Sequence, residues 1–232
     1  MTKFDACALA IVAIWLAMVA IRYRRSTIVL TGGMLVVSLY AGSALFENAT
    51  SLRQLGLAGP MSWTMTLGFA LGGLALMLAY SPVADFIATR LVSAPPSLRT
   101  FRAIQQSTAK LVMGIVVAWI LGGFVEELIF RAIVLQSIDA LMLPLVPSPL
   151  ASAIAIIVAA VGAGIIHLYQ RLRAAIIITQ LSILFGALFV VSGHNLWTVI
   201  LCHGLYDTIA FIRFAMGKSR YSKLEDEAAV QV

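Results

Sequence analysis

The hydrophobic pattern of the chain consists of long apolar runs separated by short polar breaks. A helix that crosses a membrane needs about 20 predominantly apolar residues. The breaks contain clustered arginines, or the glycine, proline and serine residues that are typical of turns. The pattern therefore predicts an all-α, polytopic transmembrane helical bundle of about seven spans. The runs cover roughly residues 4–21, 26–46, 61–80, 111–131, 150–169, 174–191 and 196–214.

Two segments lie outside the pattern of spans. Residues 83–93 mix polar and apolar side chains, which predicts a short amphipathic helix along the membrane interface. Residues 216–232 form a polar C-terminal tail. In the first run the basic cluster follows the apolar stretch, whereas a signal peptide carries its positive charge first. We therefore interpret that run as a membrane span.

Composition supports the membrane interpretation and excludes several other classes of protein. Hydrophobic residues make up 61% of the chain and charged residues 11%, whereas soluble domains are about 45–50% apolar and about 25% charged. Disordered chains have the opposite composition. The chain has two cysteines, Cys7 and Cys202, far apart in sequence, which excludes a disulfide scaffold.

The basic residues indicate orientation and do not indicate nucleic-acid binding. The net charge is +6, but the charges flank apolar runs and form no basic stripe on a soluble element. With the N-terminus outside, most of the 16 Lys and Arg residues fall on the inner side. We therefore predict an integral membrane protein with its C-terminus in the cytoplasm. The compact loops and the absence of a targeting signal indicate a prokaryotic plasma (inner) membrane. The lipid bilayer is then a partner and nucleic acid is not.

Two adjacent carboxylates interrupt the fourth run, although a charge near the bilayer centre costs at least about 2.5–3.5 kcal/mol. Glu127 and Arg131 are four residues apart, so they share a helix face and can pair. Glu126 is rotated by about 100° from Glu127 and has no such partner. Glu126 is therefore a candidate general base or acid. The alternative is a structural ion-pair network that locks helices together.

Three further ionisable residues lie in the apolar runs. His203 and Asp207 are separated by four residues, so they share one face of the last run. They could bind a metal, or Asp207 could orient the His203 imidazole. An interhelical hydrogen bond is the structural alternative. His167 lies near the end of the fifth run, where a lone histidine is more often interfacial than catalytic.

The three motifs occur in an order that resembles the CPBP family of intramembrane proteases, also called the CAAX protease and bacteriocin-processing or abortive-infection family. The family pattern is Glu-Glu-x-x-x-Arg, then Phe-x-x-x-His, then His-x-x-x-Asn or Asp. Here these motifs are Glu126-Glu127-x-x-x-Arg131, Ala163-x-x-x-His167 and His203-x-x-x-Asp207. Ala163 replaces the family phenylalanine, which puts a packing contact beside His167 in doubt. The similarity covers about residues 80–215.

The resemblance implies hydrolysis of a peptide bond in a membrane-associated peptide or protein. Glu126 would activate water, and Glu127 with Arg131 would hold the helix in register. His167 would assist Glu126 or bind a metal, and His203 with Asp207 would bind a metal or stabilise the oxyanion. Two mechanisms fit the resemblance. In one, zinc (Zn²⁺) is bound by His167, His203 and Asp207; in the other, Glu126 acts without a metal.

The resemblance also divides the chain and leaves alternatives. Residues 1–80 would be variable N-terminal transmembrane helices, residues 81–215 the catalytic core, and residues 216–232 the tail. A non-catalytic membrane scaffold or regulator on the same fold is the main alternative function. A transporter is a third class, but the inverted repeat expected of one is not visible in the sequence.

The depths of the motifs along their runs conflict. Glu126 lies about 24 Å along its helix from Lys110, and His203 about 12 Å from Asn195, which puts both in the outer half. His167 lies four residues before Arg171, near the inner end. Straight, perpendicular helices would keep these side chains apart. A tilted, broken or deeper fifth run, or a locally different orientation, would bring them together.

Overall fold

The computed structural model describes residues 2–22, 27–60 and 62–218. Most of the polar tail at 216–232 and part of the basic cluster after the first run lie outside the described residues. The described part is helical and contains no strand. Its helices are α1 Lys3–Arg22, α2 Thr27–Phe46, α3 Trp63–Leu91, α4 Thr108–Ala118, α5 Gln136–Met142, α6 Ser148–Ile166, α7 Leu172–Val191 and α8 Leu196–Ala215.

Seven helical stretches of the described chain are long and apolar enough to cross a membrane, which confirms the predicted polytopic bundle. One of them, Thr108–Met142, is assembled from several pieces. It contains α4, two π-helical segments at Trp119–Glu126 and Leu128–Leu135, and α5. We call Thr108–Met142 the long span. Short 3₁₀ helices at Arg99–Gln105 and Leu168–Gln170 lie in the connections before α4 and α7.

Local sequence explains where several helices begin. Ser62, Ser107 and Asn195 immediately precede α3, α4 and α8, and each side chain accepts a hydrogen bond from a backbone N–H of the first turn. These are the residue types that satisfy the otherwise unpaired N–H groups of a helix start. Pro149 lies in the first turn of α6, where its missing N–H has no helical partner to lose.

The segment 83–93 does not form a separate interfacial helix, which corrects the prediction. The helix α3 continues through Pro82 and ends at Leu91. Its polar residue Asp85 is buried and pairs with Arg173 of α7. The mixed polarity of this segment therefore serves a contact between two helices and does not indicate a surface that faces lipid headgroups.

The fourth predicted run, 111–131, is also too short. The helix continues for about three more turns beyond the predicted end at Arg131, to Met142. The polar residues there find partners: Gln136 donates to the Gln54 carbonyl, and Ser152 donates to Asp139. Because contacts with other elements satisfy these groups, their polarity does not end the span.

The core of the bundle surrounds the second π-helical segment. Every residue from Leu128 to Leu135 is buried, and the segment contacts α1, α2, α6, α7 and α8. The outer faces of the helices expose large apolar side chains, such as Ile28 and Phe46 at 83% and 91%. Such exposure is expected of surfaces that face lipid hydrocarbon.

A glycine allows the long span to approach α8 closely. A Cβ atom on Gly204 would lie 2.6 Å from Cε2 of the Trp119 indole, whose Nε1 donates to Thr208 Oγ1 at 3.0 Å. We expect Gly204→Ala to lower the free energy of unfolding by about 1–3 kcal/mol because the rigid ring must shift. Titration with SDS in mixed micelles, followed by circular dichroism, measures this change.

The matched control is Gly68→Ala, whose Cβ meets nothing within 4 Å. An equal loss of stability in both variants would contradict the close-contact explanation.

Candidate active site

Four ionisable side chains from three elements meet inside the bundle. Glu126 ends the first π-helical segment, His167 follows the last residue of α6, and His203 and Asp207 lie on α8. Their side chains are 13%, 14%, 14% and 25% exposed, respectively. The site is therefore recessed and still open to a small molecule such as water. The three motifs predicted from the sequence converge here.

The sequence predicted that His167 lies at a different membrane depth from Glu126 and His203, but the structure brings them together. The long span extends further than predicted, and α6 ends earlier. Glu126 lies near the middle of Thr108–Met142, so it is not close to either end of its helix. The helix α6 stops at Ile166, and its end lies beside the long span at the level of Glu126. His167 is therefore at the end of its own helix and at mid-depth of its neighbour.

Glu126 faces His167. Oε1 of Glu126 lies 3.8 Å from Nε2 of His167. Nδ1 of His167 lies 2.8 Å from the carbonyl oxygen of Ala163. A carbonyl oxygen only accepts, so Nδ1 carries the proton of this hydrogen bond. In the neutral ring, Nε2 then presents its lone pair towards Glu126.

The contact between Ala163 and His167 does not depend on the side chain at position 163. The hydrogen bond uses the backbone oxygen of Ala163, which any residue at that position supplies. Replacing the family phenylalanine with alanine therefore leaves this orienting interaction of the imidazole in place.

Glu127 connects two helices. The predicted pairing with Arg131 is present: Arg131 Nε lies 3.0 Å from Glu127 Oε2, and the two side chains are 2% and 0% exposed. These two atoms form an ion pair without hydrogen-bond geometry. The other oxygen, Oε1, lies 2.6 Å from Nδ1 of His203. Glu127 therefore bridges a buried cation and the imidazole on α8.

The adjacent glutamates contact different helices because consecutive residues of a helix point in different directions. Glu126 faces the end of α6, and Glu127 faces α8. The surrounding backbone is π-helical, with hydrogen bonds from residue i to i+5, a form that often occurs at functional sites.

Asp207 contacts the outer nitrogen of His203. Oδ2 of Asp207 lies 3.5 Å from Nε2 of His203, so Glu127 and Asp207 flank the two ring nitrogens. Gly122 makes room for this pair, because a Cβ at that position would lie 2.9 Å from Asp207 Oδ2 and 3.4 Å from His203 Nε2.

Sequence reasoning missed two supporting residues on α7. Arg131 Nη2 donates to Ser182 Oγ at 2.7 Å and to the Ser182 carbonyl at 3.2 Å. The Phe185 ring stacks on His203, with centroids 4.8 Å apart, and lies beneath the Arg131 guanidinium. Serine and phenylalanine are ordinary in an apolar span, so neither carries a signal in the sequence.

A third missed residue, Tyr169, lies in the turn after α6. Its ring stacks on His167, with centroids 6.0 Å apart, and its hydroxyl accepts a hydrogen bond from Gln170 Nε2. Tyr169 therefore covers one face of the His167 ring.

The predicted zinc ligands do not form a ready-made set. Among residues 2–22, 27–60 and 62–218, no group of three or more His, Cys, Asp or Glu side chains is arranged to hold a metal ion. Both imidazoles hydrogen-bond through Nδ1, His203 with Glu127 and His167 with a carbonyl, so Nε2 of each ring is the nitrogen that could bind a metal. Zinc binding by His167, His203 and Asp207 stays a prediction.

Comparison with known proteins identifies a family that part of this chain resembles. Residues 108–209 match the family model described as type II CAAX prenyl endopeptidase Rce1-like. All six predicted site residues lie within the match. No curated protein and no solved structure matches the chain. Residues 108–209 are therefore similar to the Rce1-like type II CAAX prenyl endopeptidase family, and the seven long apolar helices indicate an integral membrane protein.

Proposed function

We propose that the protein is an intramembrane endopeptidase in which Glu126 activates water to hydrolyse a peptide bond. The observation that carries this proposal is the approach of Glu126 Oε1 to His167 Nε2 at 3.8 Å in a recessed, partly exposed site. That separation suits a water molecule that contacts both atoms better than it suits a direct hydrogen bond. The substrate class is a membrane-associated peptide or protein.

In the first step, Glu126 takes a proton from water, and the hydroxide oxygen bonds to the carbonyl carbon of the substrate. The carbonyl π electrons move to its oxygen, which becomes an oxyanion. When His203 carries both ring protons, Nδ1–H donates to Glu127 and Nε2–H can donate to the oxyanion. Asp207 lies beside Nε2 and stabilises the charged ring.

In the second step, the oxyanion re-forms the carbonyl and the carbon–nitrogen bond breaks. The proton held by Glu126 passes to the leaving nitrogen, which departs as an amine. Water is consumed, and one new carboxyl end and one new amino end are formed. His167, fixed through Nδ1, orients the attacking water with Nε2. Glu127 and Arg131 hold His203 in position from outside the reacting centre.

We also propose the predicted orientation in a prokaryotic plasma membrane, with the N-terminus outside. Exposed basic residues cluster where α3 ends and α4 begins, which favours the cytoplasmic side for that end of the bundle. The α6–α7 turn, which carries His167, faces this side of the bundle, because Gln170 and Arg171 contact the segment after α3. The basic cluster is Arg90, Arg99, Arg102 and Lys110.

The test compares wild type with Glu126→Ala in the native host at equal expression. Mass spectrometry maps the N- and C-termini of proteins in the membrane and secreted fractions. We expect at least one terminus to vanish in Glu126→Ala while its uncut precursor accumulates. Glu47→Ala, a change of the same residue type at an exposed position, should leave every terminus in place.

An unchanged set of termini, with the host phenotype intact in Glu126→Ala, would overturn the protease proposal. The family fold would then serve a non-catalytic scaffold or regulator, and the buried polar groups would be structural contacts between helices.

A further inference from the structure

The catalytic candidate His167 lies in a turn and not within a helix. It follows the end of α6 with φ −97° and ψ 5°, and a single 3₁₀ turn separates it from Arg171. Arg171 has φ +77°, a left-handed backbone conformation that side-chain-bearing residues rarely adopt. Surrounding contacts must hold such a residue in place. The position of His167 therefore depends on what holds the α6–α7 turn.

Two contacts from the segment after α3 hold this turn. The backbone N–H of Ser97 donates to the Gln170 carbonyl at 2.9 Å. The guanidinium of Arg171 donates to the Pro95 carbonyl at 3.2 Å. Both contacts cross from a connection before α4 to the turn that carries His167.

A buried ion pair anchors the residue that follows the turn. Arg173 Nε and Nη2 lie 3.1 Å and 2.5 Å from Oδ1 of Asp85. The side chains are 4% and 6% exposed, respectively. A buried ion pair adds little net free energy to folding, because both charges lose their hydration. Removing one partner is nevertheless destabilising, because the other charge stays buried without a counter-charge. A fixed geometry between α3 and the first turn of α7 is therefore the main consequence of this pair.

Asp85, Pro95 and Ser97 all precede the family match at residues 108–209. The residues on the α3 side of these contacts therefore come from a part of the chain that the family model does not cover. This is possible because α3 continues past Pro82 and carries Asp85 to the level of α7.

We infer that Asp85 is a positioning residue, which acts through Arg173 and the α6–α7 turn to hold His167 against Glu126. The inference rests on the proposed function for its effect on catalysis. Its structural part, the position of His167, can be measured without any activity.

The first measurement is the rate at which diethyl pyrocarbonate modifies each histidine, read by mass spectrometry of peptides from the full-length protein in detergent. The chain has three histidines, so His203 and His194 are internal references. In Asp85→Asn we expect His167 to react at least about threefold faster, because the turn opens locally. The rates at the other two histidines should stay unchanged.

The second measurement uses the substrate identified by terminus mapping. We expect Asp85→Asn to lower kcat by about 10- to 100-fold, because a misplaced catalytic group loses its alignment. KM should not change, and Asp85→Glu should restore part of kcat. The matched control is Asp139→Asn, which removes the carboxylate that accepts from Ser152 near the other end of α6; this variant should keep both the labelling pattern and kcat.

Three results would overturn the inference. An unchanged His167 rate in Asp85→Asn means that the pair does not hold the turn. An equal rise at His194 means general loosening of the fold. A rise confined to His167 with kcat unchanged means that the turn moves without effect on catalysis. If Asp85→Asn does not fold, Arg173→Lys retains the charge while losing the planar fork, and the same pattern is expected of it. Loss of cleavage in Glu126→Ala is independent of all these results.

Discussion

Replacing Arg131 with leucine is expected to lower the free energy of unfolding by about 3–5 kcal/mol, because the variant leaves a carboxylate buried without its cation. Glu127 is fully buried, and it pairs with the Arg131 guanidinium and contacts the His203 ring. The variant also removes the two hydrogen bonds to Ser182. Unfolding by SDS in mixed micelles, followed by circular dichroism, measures the loss.

Two controls separate charge burial from the loss of side-chain volume. Arg131→Leu combined with Glu127→Gln removes both charges, and we expect it to regain much of the lost stability. Arg213→Leu makes the same substitution at an exposed position on α8, where surface changes usually stay within about 0.5 kcal/mol. If Arg131→Leu costs no more than Arg213→Leu, the ion pair does not stabilise the bundle.

Replacing Glu126 with glutamine is expected to lower kcat by about 10²–10⁴-fold, the usual contribution of a general base. Glutamine has the size and shape of glutamate but cannot accept the proton of the attacking water. The free energy of unfolding should change little, because Glu126 is partly exposed and faces the His167 ring at 3.8 Å, a longer separation than that of a direct hydrogen bond. Kinetics on the substrate identified by terminus mapping, together with SDS unfolding, measure both quantities.

Glu47→Gln is the matched control, since Glu47 is exposed near the end of α2. It should keep the wild-type kcat. If Glu126→Gln retains more than a tenth of the wild-type kcat, another group takes the proton, and Asp207 is the next carboxylate in the site. The ranking of these two residues is therefore open to direct measurement.

The two adjacent glutamates illustrate how burial separates roles. Glu127 is fully buried between Arg131 and His203, so it has no room for a substrate. Glu126 is 13% exposed and faces a histidine across 3.8 Å. Of these two neighbouring residues, Glu127 is therefore a structural carboxylate and Glu126 is one that can contact water.

The sequence alone determined the fold class and the number of spans, and it singled out six candidate site residues. Hydrocarbon thickness requires apolar runs of a certain length, so the runs are readable without a structure. Charges inside such runs are costly, so Glu126, Glu127 and Arg131 stand out. The Glu127–Arg131 pair was also predictable, because a separation of four residues is a local property of a helix.

Where a residue's partner lies on another helix, the sequence was insufficient. The polarity of 83–93 indicated an interface, because the partner of Asp85 is Arg173, 88 residues further along the chain. The fourth run appeared to end at Arg131 for the same reason: the partners of Gln136 and Asp139 lie outside the run. The identity of a polar residue in a span does not indicate whether its side chain contacts water or a buried partner.

Only the tertiary structure decided which side chains meet. The early end of α6 places His167 beside Glu126, and the length of the long span places Glu126 at that depth. The contacts of His203 with Glu127 and of Asp85 with Arg173 depend on the relative depth and rotation of separate helices. Depth and rotation follow from packing against neighbouring helices and not from the hydrophobic length of a run.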